Sequence, residues 1–314
     1  MIIVTGGAGF IGSNLVHELN SRGIDDIVVV DDLTDGRKFV NISQAQIADY
    51  LDFEEFRAKF TTGRQSQGNI ERIYHLGACS TTTEWDGRMM LDRNYAYTRD
   101  LIDFCIEGSI PIVYASSAAV YGKSNAFAET LNNEQPLNVY GYSKQLIDRY
   151  VHRHLGRSNS QIVGIRYFNV YGPREQHKDA MASVAYHFDR QFKESSSIKL
   201  FEGSHGYDDG EQCRDFVYVD DAVATTLWFA EQSECSGIFN CGTGVAESFN
   251  QVATAVLNWH GNGEISYVSF PDNLRAAYQS FTQADLSMLR AAGCDLEFRD
   301  VNQGVHEYLD WLNS

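Results

Sequence analysis

Met1-Ile2-Ile3-Val4-Thr5-Gly6-Gly7-Ala8-Gly9-Phe10-Ile11-Gly12-Ser13-Asn14-Leu15-Val16-His17-Glu18-Leu19 is the stretch whose reading decides the fold. Met1 to Val4 form a short apolar run, the length and character of a buried strand. The glycine-rich turn follows at once, and from Ser13 to Leu19 the apolar residues recur at helical intervals. A strand, a glycine turn and a helix in this order cradle the pyrophosphate of a dinucleotide. Gly6 permits the tight turn, Gly9 lets the backbone approach the phosphates, and Gly12 lets the helix pack close to the strand. The start of the helix offers unpaired N–H groups and the positive end of its dipole to the anion. The spacing is G-x-x-G-x-x-G, not the commoner G-x-G-x-x-G.

Outward from this turn the chain alternates strands with helices. Ile27-Val28-Val29-Val30 is a continuous apolar run ending at Asp31-Asp32, as expected of a parallel strand covered on both faces. Further strands are expected at Arg72–Leu76, Ile112–Ala115 and Ile162–Tyr167, with helices near 86–107 and 141–155 between them. This βαβα rhythm predicts an α/β fold, a Rossmann-type doubly wound parallel sheet. After Tyr167 the rhythm breaks. Residues 169–214 read as loops around one helix near 181–193, and the tail from 247 mixes helices with short strands. Phe216–Val219 and Gly237–Asn240 read as short returns to the first lobe. The expected division is a dinucleotide-binding domain of residues 1–168 plus 215–245, and a smaller, discontinuous α+β substrate lobe of residues 169–214 plus 246–314.

Composition narrows the function. The 314 residues carry 25 basic and 42 acidic side chains, a net charge of −17, so nucleic acid and anionic membranes are poor partners. No apolar run has the length of a membrane span. The glycine motif begins immediately, with no charged region followed by a long apolar stretch, so no signal peptide and a cytoplasmic location are expected. The cysteines at 79, 105, 213, 235, 241 and 294 form no C-x-x-C pair, and the histidines form no H-E-x-x-H pattern. Reduced thiols are expected and no metal is implied.

The chemistry gathers in a few places. Asp31-Asp32 lies about twenty residues past the glycine turn, where an acidic residue meets the adenosine ribose. Asp31 alone points to NAD, whereas Lys38, with Arg37 beside it, can hold a 2′-phosphate. Tyr140-Gly141-Tyr142-Ser143-Lys144 places a phenol and an ammonium at i and i+4 of a helix start, on one face. An ammonium beside a phenol is expected to lower its pKa, so that it can take a proton from an alcohol as a hydride leaves for a nicotinamide. Surface Y-x-x-x-K pairs are common on helices. Here, however, Ser116-Ser117-Ala118-Ala119 follows a strand end, and Leu76-Gly77-Ala78-Cys79 ends another with small residues.

Together these residues resemble the extended short-chain dehydrogenase/reductase superfamily. His75-Leu76-Gly77-Ala78-Cys79-Ser80, Thr83-Glu84-Trp85-Asp86-Gly87, Tyr167 to Glu175, His177-Lys178, Met181-Ala182-Ser183, Leu200 to Ser204 and Arg214 to Val219 narrow it to the ADP-L-glycero-D-manno-heptose 6-epimerases. The similarity runs from Met1 to about Trp311. It implies that Tyr140 and Lys178 are acid/base groups on opposite sides of the sugar, that Ser117 bonds the reacting oxygen, and that Lys144 holds the nicotinamide ribose. It implies one tightly bound NADP per subunit, with NAD possible but weaker. Its cofactor contacts are Gly6, Gly9, Phe10, Ile11, Gly12, Asp31, Asp32, Lys38, Leu76, Gly77, Ala78, Cys79, Ser80, Arg93, Lys144, Val170 and Lys178. Its substrate contacts are Ser117, Asn169, Ala180, His187, Phe201, Glu202, Gly203, Ser204, Arg214 and Tyr278, around an ADP-heptose. A homopentamer is implied as well.

Two departures stand out. Phe53 and Arg93 occupy positions where that family is expected to have a Lys and an Asn near the cofactor. The segment His205–Cys213 is longer than the family's loop and carries Asp208, Asp209 and Glu211, so it is expected outside the diphosphate site. Other extended short-chain enzymes compete with this reading: a 4-epimerase, a 4,6-dehydratase, a net dehydrogenase, or a non-catalytic NADP-binding regulator. The dehydratases need an acidic pair beside the catalytic serine. Here Ala118 and Ala119 follow Ser117, which argues against elimination.

Overall fold

The computed structural model describes residues 1–61, 69–271 and 279–314. Tyr278, expected at the substrate, lies outside these described residues. The strands β1 (Ile2–Thr5), β2 (Ile27–Asp31), β3 (Asp49–Asp52), β4 (Arg72–His75), β5 (Ile112–Ser117), β6 (Ile162–Tyr167) and β11 (Gly237–Cys241) form one sheet. Its order is β11-β6-β5-β4-β1-β2-β3, and every neighbouring pair is parallel. This is the doubly wound order, which reverses between β1 and β4 and leaves a crevice at their carboxyl ends.

The apolar runs are continuous because both faces are buried. Ile2, Val4, Ile27, Val29 and Val113 enter a core with Leu15, Val16 and Leu19 of α1 (Phe10–Ser21) and Val223 and Leu227 of α7 (Val219–Glu231). Ile3, Val28, Val30, Ile73 and Ile112 enter the opposite core. That core also takes side chains from α2 (Phe53–Thr61), α4 (Tyr97–Gly108) and α5 (Val139–His152). Alternate residues of one strand thus feed two layers. Each fully buried Leu, Ile or Val contributes about 1.5–3 kcal/mol.

Three elements depart from the expectations. β3 was not anticipated: Asp-Tyr-Leu-Asp at the sheet edge has no apolar run, and its outer residues are exposed. The helical stretch near 86–107 is broken into α3 (Gly87–Met90), a π-helical turn over Leu91–Ala96, and α4. The segment from Phe216 does not return to the large sheet. Instead β10 (Phe216–Tyr218) pairs in parallel with β7 (Asn169–Tyr171). The reason is its alternation. Val217 and Val219 enter the core of α1 and α7, whereas Phe216 and Tyr218 enter that of the second lobe. The second expected return does occur, as β11 beside β6.

The second lobe is built on the parallel pair β8 (Ser197–Phe201) and β13 (Glu264–Val268). It is covered by α6 (Val184–Ser195), α8 (Phe249–His260) and the C-terminal helix Val301–Leu312. Phe188, Ile198, Leu200, Val252, Val256 and Val305 fill its core. A short antiparallel pair, β9 (Cys213–Arg214) with β12 (Glu247–Ser248), completes it.

Candidate active site

The glycine turn sits at the crevice. Gly6 has φ +68°, and a Cβ there would lie 2.6 Å from the Gly77 nitrogen at the end of β4. A Cβ on Gly12 would lie 2.1 Å from the Gly6 carbonyl oxygen. These glycines bring three backbone segments together, and α1 starts at Gly9 with no side-chain cap. Its first N–H groups face the crevice, as a pyrophosphate requires. The residues present therefore fit a dinucleotide.

The ribose end is more tightly wired than its sequence suggests. One Asp31 oxygen accepts from the Ala8 N–H at 2.8 Å; the other accepts from the Asp32 N–H at 2.7 Å and from Lys38 Nζ at 2.6 Å. The carboxylate thus ties β2 to the glycine turn. Arg93 pairs with Asp32 at 3.1 Å and stacks over the Phe53 ring at 4.8 Å. Phe53 and Arg93 are therefore one unit, a cation held on an aromatic face. Beside them lies a cavity of about 400 Å³ walled by Phe53, Arg57, Met89 and Arg93. Arg37 does not join this group. Its guanidinium is taken by Asp35 and Asp179, so it is not a free phosphate cation.

Ser117 ends β5, and its Oγ accepts from the Ala119 N–H at 3.1 Å. Tyr140 lies in the first turn of α5, which is capped by the Asn138 side chain. Lys144, one turn on, is buried, and its Nζ donates to the Ala115 carbonyl at 2.8 Å. Burial brings its pKa down to about 8, against the opposing pull of Asp148 and Cys79. The expected downward shift of the Tyr140 phenol is not found in the protein alone. Burial raises it, hydrogen bonding from Ser117 opposes this, and Cys79 adds to the rise. The Lys144 ammonium is turned to the β5 backbone.

Sequence reasoning missed two groups behind this set. Asn94, fully buried on the π-helical turn, accepts from the Cys79 N–H at 2.8 Å and donates to the Cys79 carbonyl at 2.9 Å and to Ser143 Oγ at 3.1 Å. It joins the end of β4 to the helix of Tyr140 and Lys144. A polar residue inside an apolar helical pattern was the available signal. Asp148 is also buried, accepting from Tyr114 Oη at 2.9 Å, Ser116 Oγ at 2.8 Å and Arg166 Nε at 2.8 Å. Arg166 continues to Glu134 and over the Tyr121 ring. This network fixes α5 against β5 and β6. His75, at the end of β4, bonds Thr5 and Thr98, and burial lowers its pKa to about 3, leaving it neutral.

Lys178 stands on a 3₁₀ segment over Gln176–Met181. Its Nζ lies 5.0 Å from the Phe10 ring centroid, and burial lowers its pKa, with Glu175 opposing. Val170 is half-buried in β7. Ala180 is exposed beside Lys178. His187 is half-buried, its ring 5.7 Å from that of Tyr186. In the second lobe, Asn169 Oδ1 accepts from Thr282 Oγ1 at 3.4 Å, and Arg214 stacks over Phe249 at 5.7 Å. Phe201 ends β8 against Phe270, and beyond it the Glu202 N–H donates to the Val268 carbonyl while Ser204 Oγ accepts from Gln212 Nε2 at 3.1 Å. In the acidic segment, Asp209 accepts from the Gly203 N–H, within the loop, and Glu211 accepts from Asn250 of α8, which ties the loop to that helix. Asp208 is exposed.

This crevice is that of a dinucleotide-dependent enzyme. The profile of the NAD dependent epimerase/dehydratase family matches residues 2–242, and the chain belongs to that family. An ADP-L-glycero-D-manno-heptose-6-epimerase of Alkalilimnicola ehrlichii is 58% identical over 310 residues, covering 99% of this chain and 97% of that protein. The Helicobacter pylori ADP-L-glycero-D-manno-heptose-6-epimerase structure superposes with a TM-score of 0.87 at 28% identity, covering 100% of this chain and 96% of that one. A UDP-N-acetylglucosamine 4-epimerase from Methanobrevibacter ruminantium shares the fold, with a TM-score of 0.84 at 22% identity over 99% of this chain and 97% of that one. No helix among the described residues is long and apolar enough to cross a membrane.

Proposed function

We propose that this chain inverts carbon 6 of the heptose in ADP-D-glycero-β-D-manno-heptose, giving the L-glycero epimer used for the lipopolysaccharide inner core. The observation that carries this reading is the 58% identity to a protein of that name across nearly the whole chain. A nicotinamide cofactor held by the glycine turn, Asp31, Asp32, Lys38 and Lys144 would supply the hydride acceptor and donor for carbon 6. Tyr140 and Lys178 hold and move the alcohol proton, each for one epimer, because inversion presents the hydroxyl in two positions. They stand on different elements, α5 and the Gln176–Met181 segment. Ser117 orients the reacting oxygen, and Lys144 holds the nicotinamide ribose.

The substrate set is Asn169, Ala180, His187, Phe201 to Ser204, Arg214 and Tyr278, with the Arg214 guanidinium on the diphosphate. NADP is preferred over NAD. Asp31 already accepts from the Ala8 N–H and Lys38, leaving it little capacity for a ribose 2′-hydroxyl. Lys38 and Arg93 stand at the same end of β2, each within an ion pair that a doubly charged phosphate can enter. A cytoplasmic homopentamer completes the reading. The test is incubation of the purified protein with either heptose epimer and no added cofactor. Interconversion without NADPH accumulation supports it; accumulation means a net dehydrogenase, and no turnover with a loaded cofactor means a regulator.

A further inference from the structure

The segment bearing Lys178 is tied down at several points. At its base the fully buried Glu175 accepts from the Gly172 N–H at 3.3 Å and from the Ser183 N–H and hydroxyl at 2.6 Å each. Along one side, Asn14 Nδ2 donates to the Pro173 carbonyl and Arg174 donates to Asn14 Oδ1. Near its tip, Asn41 Nδ2 donates both to the Ala8 carbonyl of the glycine turn and to His177 Nδ1 at 3.1 Å. At the tip itself, Arg37 donates to both oxygens of Asp179, at 3.2 and 2.9 Å. The segment therefore spans from α1 across the glycine turn to the loop after β2.

Asp179 has φ +47° and ψ −120°, a conformation that suits glycine and strains a residue with a Cβ. Such strain persists only where surrounding contacts impose it. Backbone bonds on either side, from the Lys178 N–H to Glu175 and from the Ala182 N–H to the Asp179 carbonyl, hold the segment, and the Asp179 side chain adds a two-pronged ion pair with Arg37, 142 residues away in sequence. Both side chains are largely exposed, so the pair can break and reform in water.

We propose that Arg37 and Asp179 are positioning residues that clasp the Lys178 segment over the cofactor, so that the pair sets the rate at which nucleotide leaves. This rests on the reading that the crevice holds NADP. A cofactor regenerated in every cycle has no need to leave, and a clasp outside the reacting atoms retains it without touching the chemistry. The Asp179 strain is then the conformational cost of carrying a carboxylate to Arg37.

The experiment uses nucleotide-loaded protein and follows release of NADP during a chase with excess unlabelled nucleotide. Asp179→Gly removes both the strain and the clasp. It should melt at or above the wild-type temperature yet release NADP roughly three- to five-fold faster, the scale of one exposed ion pair. A merely structural role would lower melting temperature and retention together. Asp179→Asn and Arg37→Ala should speed release similarly, and their combination should add nothing further. High salt should narrow the gap between wild type and variants. Unchanged release in the single variants, or additive effects in the double, overturns the clasp. Slower release in the Asp179 variants also overturns it, showing that freed Arg37 grips the phosphate instead. A protein that loads neither NADP nor NAD overturns the cofactor reading as well, and failed loading tells that case apart.

Discussion

Replacing Lys144 with methionine should stabilise the nucleotide-free fold while removing its chemistry. Lys144 is 3% exposed, and burial brings its pKa from 10.5 to about 8. Keeping it charged at pH 7 therefore costs about 3 kcal/mol relative to a neutral side chain in the same place. Against this, the variant loses the Nζ bond to the Ala115 carbonyl, worth about 1 kcal/mol. Methionine is unbranched and fills the same channel, so the net gain at pH 7 is about 2 kcal/mol. The sign reverses with pH. Between about 8 and 10.5 the unfolded chain holds this proton and the folded one does not, so wild-type stability rises with pH across that window. The variant's advantage shrinks there and ends as a deficit of about 1 kcal/mol, the lost hydrogen bond. Urea unfolding of both proteins at neutral and alkaline pH reads this directly. A variant less stable at pH 7, by a margin unchanged at high pH, would refute the argument that burial strains this lysine.

Three further outcomes are expected. Tyr140→Phe should abolish epimerisation while nucleotide stays bound, since only a hydroxyl is lost; wild-type turnover would remove Tyr140 from the proton path. Lys178→Met should lower kcat by about 10²–10⁴-fold with the fold intact. A loss confined to KM would make Lys178 a binding group and end the two-base mechanism. Lys38→Ala should lower the ratio of NADP to NAD activation when apo-protein is reconstituted with each. An unchanged ratio, or equal activation in wild type, would move the phosphate site elsewhere.

The parts legible in the sequence are those whose chemistry is local. The glycine turn, the two-sided strands and the Tyr140/Lys144 spacing each occupy a single short stretch, so periodicity and residue type suffice. What was hidden depends on partners far along the chain. Asp31 reads as a ribose ligand, but its carboxylate closes on Ala8 and Lys38. Arg37 reads as a phosphate cation until Asp179 takes it. Asn94 reads as a helix residue, and only the π-helical turn brings its amide onto Cys79. Phe53 and Arg93 read as two separate departures, and only the folded chain shows them stacked. Composition cannot reveal such pairings, because the backbone that creates them is set by the whole sheet.

β10 and the first residue of α7 alternate between the two cores, Val217 and Val219 entering one and Phe216 and Tyr218 the other. These four residues lie in both lobes at once, like a rivet through two plates. A hinge that swung the second lobe away would pull Phe216 and Tyr218 from one core, or Val217 and Val219 from the other. Exposing such a pair costs on the order of 3–6 kcal/mol, far more than breaking surface contacts. Wide domain opening is therefore closed to this molecule, and substrate exchange must rely on movements of surface segments. By the same reasoning neither lobe can be cut out and expected to fold, and thermal unfolding should proceed as one cooperative transition.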